Sequence, residues 1–77
     1  MTRKPIPKPS YLDGMEYLGF IHGERRWRSK CGRRLYTWDA FHGEIEVFSK
    51  RGKHLAVIDA VTGDTIKDAV KGRSIDV

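Results

Sequence analysis

Glycine-containing turn signals recur at short intervals along residues 22–64. They are His22-Gly23, Cys31-Gly32, His42-Gly43, Arg51-Gly52 and Thr62-Gly63-Asp64. Short segments between such turns are typical of antiparallel strands that follow one another in a meander. The predicted strands are Glu16–Ile21, Arg25–Ser29, Arg34–Asp39, Glu44–Ser49, His54–Asp59 and Thr65–Ala69. We therefore predict a mainly β fold of the α+β class, with about five to six strands in a small twisted antiparallel sheet or a partly open barrel.

The first ten residues differ from the rest because they are basic and rich in proline. Pro5, Pro7 and Pro9 remove amide donors and disfavour both a helix and a central strand. We predict an extended arm over residues 1–10 and a single domain over residues 11–77. A short helical element is expected at the start of that domain, with Ser10 as its N-cap and Gly14 limiting its length.

Length and cysteine usage narrow the class of protein. A chain of 77 residues is one small domain with a modest core. It has no apolar run long enough to span a bilayer and no apolar stretch like that of a signal peptide. Cys31 is the single cysteine, so no internal disulfide can form, and its thiol is interpreted as incidental. These features favour a cytosolic setting.

The net charge of +5 is concentrated in the first half of the chain. Residues 1–37 hold nine Lys/Arg against three Asp/Glu, whereas residues 38–77 hold six against seven. Clustered cations bind phosphate, so we predict an RNA-binding surface. Its members are Arg25, Arg26, Arg28, Lys30, Arg33 and Arg34, with Lys50 and Lys53 in a later turn. Trp27, within this cluster, is expected to pack inward, although it could also stack on a base.

Acid–base groups follow directly after the basic stretch. Alternation in the fourth predicted strand turns Ile45 and Val47 to a core, so Glu44 and Glu46 are expected on the outward face. Asp39 and His42 flank the preceding connection, so both can lie beside the glutamates. Histidine and carboxylate side chains can act as the acid and the base of RNA cleavage, and an arginine can stabilise the phosphorane.

Two other interpretations fit the same residues. His42, Glu44, Glu46 and His54 could ligate a divalent metal ion, as in a metal-dependent nuclease. The chain contains neither paired cysteines nor an HExxH spacing, so the metal-free chemistry is preferred and no cofactor is expected. The second alternative is a non-catalytic, basic RNA-binding module in which the carboxylates are only solvated.

The stretch from Arg26 to Asp39, followed by His42-Gly43-Glu44-Ile45-Glu46, resembles the C-terminal cytotoxic domain of the ribosome-inactivating E-type colicins and cloacin. The similarity runs from about Arg25 to Ile75. It implies a highly twisted antiparallel sheet with a short N-terminal helix. It also implies an endoribonuclease toxin that cuts small-subunit ribosomal RNA at the decoding centre, without a metal, and leaves a 2′,3′-cyclic phosphate.

The resemblance also assigns roles to individual residues. Glu46 would be the general base. His42, oriented by Asp39, would be the acid or the group that stabilises developing charge. Arg73, which alone would be interpreted as a surface arginine, would stabilise the phosphorane. Glu44 would tune its neighbours. The segment before Arg73, residues 67–72, departs from the Asp-Pro-type sequence of the family.

Partners and location follow from the same resemblance. The expected partners are the small ribosomal subunit and a cognate acidic immunity protein or antitoxin, attracted by the basic charge. The toxin would act in the bacterial cytoplasm, either as a free-standing protein or as a domain delivered from outside within a larger one.

Overall fold

The computed structural model describes residues 3–77 and consists of one antiparallel sheet. Its six strands are β1 (Glu16–Ile21), β2 (Glu24–Arg28), β3 (Arg34–Asp39), β4 (Glu44–Ser49), β5 (His54–Ile58) and β6 (Thr65–Asp68). Each strand pairs with the next along the chain, in the order β1-β2-β3-β4-β5-β6. The predicted meander is confirmed, and no strand end differs from its prediction by more than one residue.

The predicted helical element is wrong, because residues 3–77 contain no helix. Residues 11–14 instead form tight turns in which the Asp13 amide donates to the Ser10 carbonyl, at 3.1 Å. Ser10 does accept the Leu12 amide on its hydroxyl, at 3.2 Å, as a capping residue would. Gly14 then takes φ +83°, a left-handed conformation that ends the turn before a helix can form. Among residues 3–77 there is consequently no helix that could span a membrane.

One face of the sheet carries the apolar core. The buried members are Leu12, Trp27, Tyr36, Trp38, Ile45, Val47, Ile58 and Ala60. Trp27 thus packs inward as predicted, with the ring of Tyr17 5.2 Å away. The N-terminal segment covers this face. The Trp38 indole donates to the Lys4 carbonyl at 3.0 Å, and the Tyr11 amide donates to the Ala60 carbonyl at 2.8 Å.

The opposite face is also covered, by the C-terminal segment that follows β6. The Ile75 amide donates to the Gly52 carbonyl at 2.8 Å, and Lys53 forms an isolated bridge with Ser74. The approach is so close that a Cβ on Gly52 would lie 2.2 Å from the Ile75 carbonyl oxygen. The expectation that Glu46 faces solvent is therefore wrong. It lies on the predicted face, but the C-terminal segment leaves only 4% of the residue exposed.

Candidate active site

The register of the central strands places Glu46 in the middle of the polar face. Thr37 of β3 lies opposite Glu46, and Arg26 of β2 lies opposite Thr37. On the other side, Glu46 pairs with Val57 of β5. Side chains opposite one another in a ladder share a face, so these residues form one row across four strands. A carboxylate in such a position needs a partner, because an unpaired buried charge is costly.

Arg73 supplies that partner from the C-terminal segment. Its two terminal nitrogens contact the two carboxylate oxygens of Glu46, so the pair is bidentate. The amide of His54 donates to the Arg73 carbonyl at 3.1 Å and fixes the backbone next to the pair. The Arg73 side chain is 44% exposed, whereas that of Glu46 is 6% exposed. The pair is thus open to solvent only from the arginine side.

His54 is a third member of this cluster, and its side chain is fully buried. Its Nδ1 accepts the Val70 amide at 2.9 Å, so a neutral ring carries its proton on Nε2. That Nε2 lies 3.5 Å from the nearer oxygen of Glu46. Burial and the neighbouring Arg73 cation lower the pKa of His54, although Glu46 acts in the opposite direction. The structure therefore favours a neutral ring beside the Glu46–Arg73 pair.

Asp39 and His42 form a second pair at the β3–β4 connection. The His42 Nδ1 and the Asp39 Oδ2 are 2.7 Å apart. The other oxygen of Asp39 accepts the amides of Phe41 and His42, at 3.0 and 3.1 Å. Partial burial opposes ionisation, but the hydrogen bonds and charge of His42 outweigh it and lower the pKa of Asp39. The carboxylate thus holds one edge of the imidazole, while the ring remains exposed and its Nε2 faces away from Asp39.

The two pairs lie on the same face of β3 and β4. Asp39 is opposite Glu44, and Thr37 is opposite Glu46, so the pairs are two residues apart along the strands. That separation corresponds to roughly 7 Å. Glu44 lies on β4 directly opposite Asp39, with the Lys67 ammonium 3.8 Å from its carboxylate. All five predicted site residues, Asp39, His42, Glu44, Glu46 and Arg73, are therefore gathered at one surface.

Glu24 is a further acidic group that the sequence analysis missed. It is half-buried on β2, two residues from Arg26 and on the same face. Burial raises the pKa of Glu24, and the nearby carboxylates of Glu46 and Asp39 raise it further. The missing signal was the β2–β3 register, which cannot be read from strand alternation alone.

Three buried polar atoms on this face have no hydrogen-bond partner within residues 3–77. They are Arg26 Nε, Thr37 Oγ1 and His54 Nε2. Arg26 lies apart from the exposed cations with which it was grouped, because it is buried and donates to the Asp76 carbonyl at 2.7 Å. Unpaired buried donors are costly and uncommon in folded proteins. Their position around Glu46 fits a site that receives a polar ligand.

The other predicted RNA-binding residues are all on the surface. Arg25, Arg28, Lys30, Arg33, Arg34, Lys50 and Lys53 are exposed. Arg28 also pairs with Glu16 at 2.7 Å. For the metal alternative, residues 3–77 contain no group of three or more His, Cys, Asp or Glu side chains that could hold an ion.

The fold and the site together define a small β domain with an acid–base cluster on one face of its sheet. The family profile described as Cytotoxic matches residues 21–76. The chain belongs to the Cytotoxic family, and it is a toxin domain of the colicin-like type, which confirms the resemblance drawn from its sequence.

Similarity to individual bacteriocins supports the same assignment. Colicin E3 of Escherichia coli is 38% identical over 52 residues, covering 66% of this chain and 9% of that protein. Colicin-E6 and cloacin, both from Escherichia coli, are 37% identical over 51 residues, covering 65% of this chain and 9% of each relative. The matched segment is therefore a small part of each relative.

Proposed function

We propose that this toxin domain is a metal-independent endoribonuclease that cleaves small-subunit ribosomal RNA at the decoding centre and so inhibits translation. The observation that carries the proposal is the pairing of Asp39 with His42 and of Glu46 with Arg73 on one face of β3 and β4. One pair contains a histidine that can deliver a proton, and the other a carboxylate that can accept one.

The proposed reaction begins with the ribose 2′-hydroxyl. Glu46 takes its proton, and the 2′-oxygen attacks the adjacent phosphorus. The bond to the 5′-oxygen then breaks, and that oxygen takes a proton from Nε2 of protonated His42. Asp39 holds the Nδ1 edge of the ring, so the carboxylate orients the imidazole and stabilises its cationic form. The products are a 2′,3′-cyclic phosphate and a free 5′-hydroxyl.

Arg73 has two parts in this proposal. Its guanidinium is half-exposed while Glu46 is covered, so the scissile phosphate approaches from the arginine side. A phosphate that binds the exposed nitrogens draws the guanidinium from Glu46 and frees a carboxylate oxygen for the 2′-hydroxyl. Guanidinium donors then stabilise the charge that develops on the phosphorane.

The resemblance to E-type colicins extends the proposal to partners. The domain would act on the small ribosomal subunit in the bacterial cytoplasm, as a free-standing toxin or as part of a larger one delivered from outside. A producing cell would need a cognate immunity protein or antitoxin. With a net charge of +5, the domain favours an acidic partner.

Cleavage of purified ribosomes in the presence of a chelator tests the proposed chemistry. The unaltered chain should release one discrete ribosomal RNA fragment whose end is a 2′,3′-cyclic phosphate. Glu46→Gln and His42→Ala should each lower the cleavage rate by at least about 100-fold, because each removes a proton-transfer group. The matched control is Asp68→Asn, which removes an exposed carboxylate from β6 and should cleave normally.

Three outcomes would count against the proposal. Binding of ribosomes without a cut would favour the non-catalytic RNA-binding module. Loss of the cut on adding the chelator would favour a metal-dependent nuclease. Normal cleavage by folded Glu46→Gln and His42→Ala variants would remove the assigned roles, and fluorescence of the two buried tryptophans verifies folding.

A further inference from the structure

A groove runs along the N-terminal segment, beside the acid–base site. It has a volume of about 540 Å³ and lies between residues 3–8, the β1–β2 hairpin and the end of β3. Four basic side chains line it, against two acidic ones, Asp13 and Glu24. The basic residues are Arg3, Lys4, Lys8 and Arg25. Its charge therefore suits an anionic ligand.

The N-terminal segment is fixed in place beside the turn that holds His42. The Lys4 amide donates to the Ala40 carbonyl at 2.8 Å, and the Lys4 carbonyl accepts the Trp38 indole at 3.0 Å. The Lys4 stem also crosses Gly43, where a Cβ would lie 2.8 Å from the lysine Cδ. Gly43, with φ +70°, thus allows the lysine to approach the turn closely.

A second cavity connects this groove with the site. It measures about 300 Å³ and shares Arg3, Glu24 and Trp38 with the groove, but it also reaches Asp39 and Phe41. Cavities of this size fall within the ~300–1,000 Å³ range of small-ligand sites, which suits individual nucleotides. The shared lining residues place the two cavities next to each other, and the second one reaches Asp39, the partner of His42.

Two exposed aromatic rings line these cavities. Phe20 in the groove is 67% exposed, and Phe41 in the second cavity is 59% exposed. Large apolar rings on a basic surface are suited to stacking on unpaired bases. Cations that hold phosphates beside rings that stack on bases indicate single-stranded nucleic acid, whereas a protein partner would not require this combination.

We propose that residues 3–8 and the β1–β2 hairpin form a binding groove for the single-stranded RNA that adjoins the scissile phosphate. Arg3, Lys4 and Lys8 hold its phosphates, while Phe20 stacks on a base. The inference rests on the proposed nuclease function and adds a substrate-binding surface to it. The four side chains given these roles, Arg3, Lys4, Lys8 and Phe20, precede residues 21–76, the part matched to the Cytotoxic family, so the family match does not account for them.

The first test measures binding in the Glu46→Gln background, in which cleavage is expected to be at least about 100-fold slower. A fluorescent single-stranded oligoribonucleotide is titrated by anisotropy at several salt concentrations. The triple change Arg3→Gln, Lys4→Gln and Lys8→Gln should weaken binding at least 10-fold and reduce the salt slope by about 2, since each phosphate contact contributes about 0.7. Phe20→Ser should weaken binding 5-fold or more with an unchanged slope. The control is Lys71→Gln, which removes an exposed cation outside the groove. It should change the affinity by less than 2-fold and leave the salt slope nearly unchanged.

The second test measures ribosome cleavage by the same variants with Glu46 intact. The triple variant should show a raised KM with a nearly unchanged kcat, because the groove binds substrate but does not transfer protons. Unchanged KM, affinity and salt slope in the folded triple variant would overturn the groove, as would be found if it served a protein inhibitor instead. Failure of the proposed nuclease function gives a different result, because the unaltered chain would then not cut ribosomal RNA. The binding test would still show whether the groove binds RNA.

Discussion

The two faces of the sheet are both covered, yet within the described strands only one of them buries acidic or basic side chains. One face packs Trp38, Ile45 and Val47 under the N-terminal segment. The other buries Glu46 and His54 under the C-terminal segment, together with the apolar side chains of Leu35, Phe48 and Val57. A single strand, β4, supplies both faces by alternation. Strand alternation therefore confines the buried acidic and basic groups to one face, although both faces bury apolar side chains.

This division has an energetic consequence. Apolar burial stabilises the fold by about 25 cal/mol per Å² of surface removed from water. Buried charges require pairing to avoid a net cost, as Arg73 provides for Glu46. We expect changes to the buried apolar side chains to act mainly on unfolding, and changes to the ionisable groups of the polar face to act mainly on chemistry and on pH dependence.

Ile45→Ala should have the largest effect on stability. Ile45 is completely buried, and removing its side chain should cost about 2–5 kcal/mol of unfolding free energy. Urea unfolding followed by tryptophan fluorescence measures the loss. Val61→Ala is the control, since Val61 is exposed and should change stability by less than about 0.5 kcal/mol. An Ile45→Ala loss below about 1 kcal/mol would show that the apolar face is not the main source of stability.

The fold was predictable from sequence because its signals are local. The bounds of β1, β3 and β4 follow from alternation between glycine turns, and the structure confirms them. The absence of a helix after Ser10 was not predictable from that candidate N-cap alone, because the turn ends at Gly14, which has a positive φ. Propensity near a cap does not decide whether a helix continues.

The site was predictable only in part. Alternation put Glu46 on the correct face, but its burial depends on an irregular segment more than 20 residues further along the chain. Arg73 was indicated by the family resemblance alone. His54 was not predicted as a neighbour of Glu46, because that position depends on the register shift between β4 and β5 at Val47/Phe48. Long-range contacts of this kind leave no periodic signal in the sequence.

His54 provides a smaller effect, confined to one pH range. Because its pKa is lowered in the folded state, the unfolded chain binds the proton more readily. The contribution of His54 to stability is therefore fully present above its unfolded pKa of about 6.5, and it is lost as pH falls through the folded pKa. In the unaltered chain, the free energy of unfolding should be lower at pH 5 than at pH 7.5.

The matched variant is His54→Gln, which cannot titrate and should show a flatter difference between these two pH values. The lowered pKa of Asp39 acts separately, since its contribution is lost only below its ordinary value of 3.8. A decline of equal size in the chain and in the variant would show that another group causes the loss.

Arg28→Ala should have the smallest effect on stability. This variant tests the exposed part of the polar face, for comparison with the part that the C-terminal segment covers. Arg28 forms an exposed pair with Glu16, so its removal should cost less than about 1 kcal/mol. Arg26→Ala should cost more, because Arg26 is buried and holds the C-terminal segment through the Asp76 carbonyl. For RNA binding, a phosphate contact by Arg28 predicts a fall of about 0.7 in the salt slope. Urea unfolding and oligoribonucleotide titrations measure the two quantities. Equal stability losses for the two variants would contradict the argument, because only the covered arginine joins the sheet to the segment that carries Arg73.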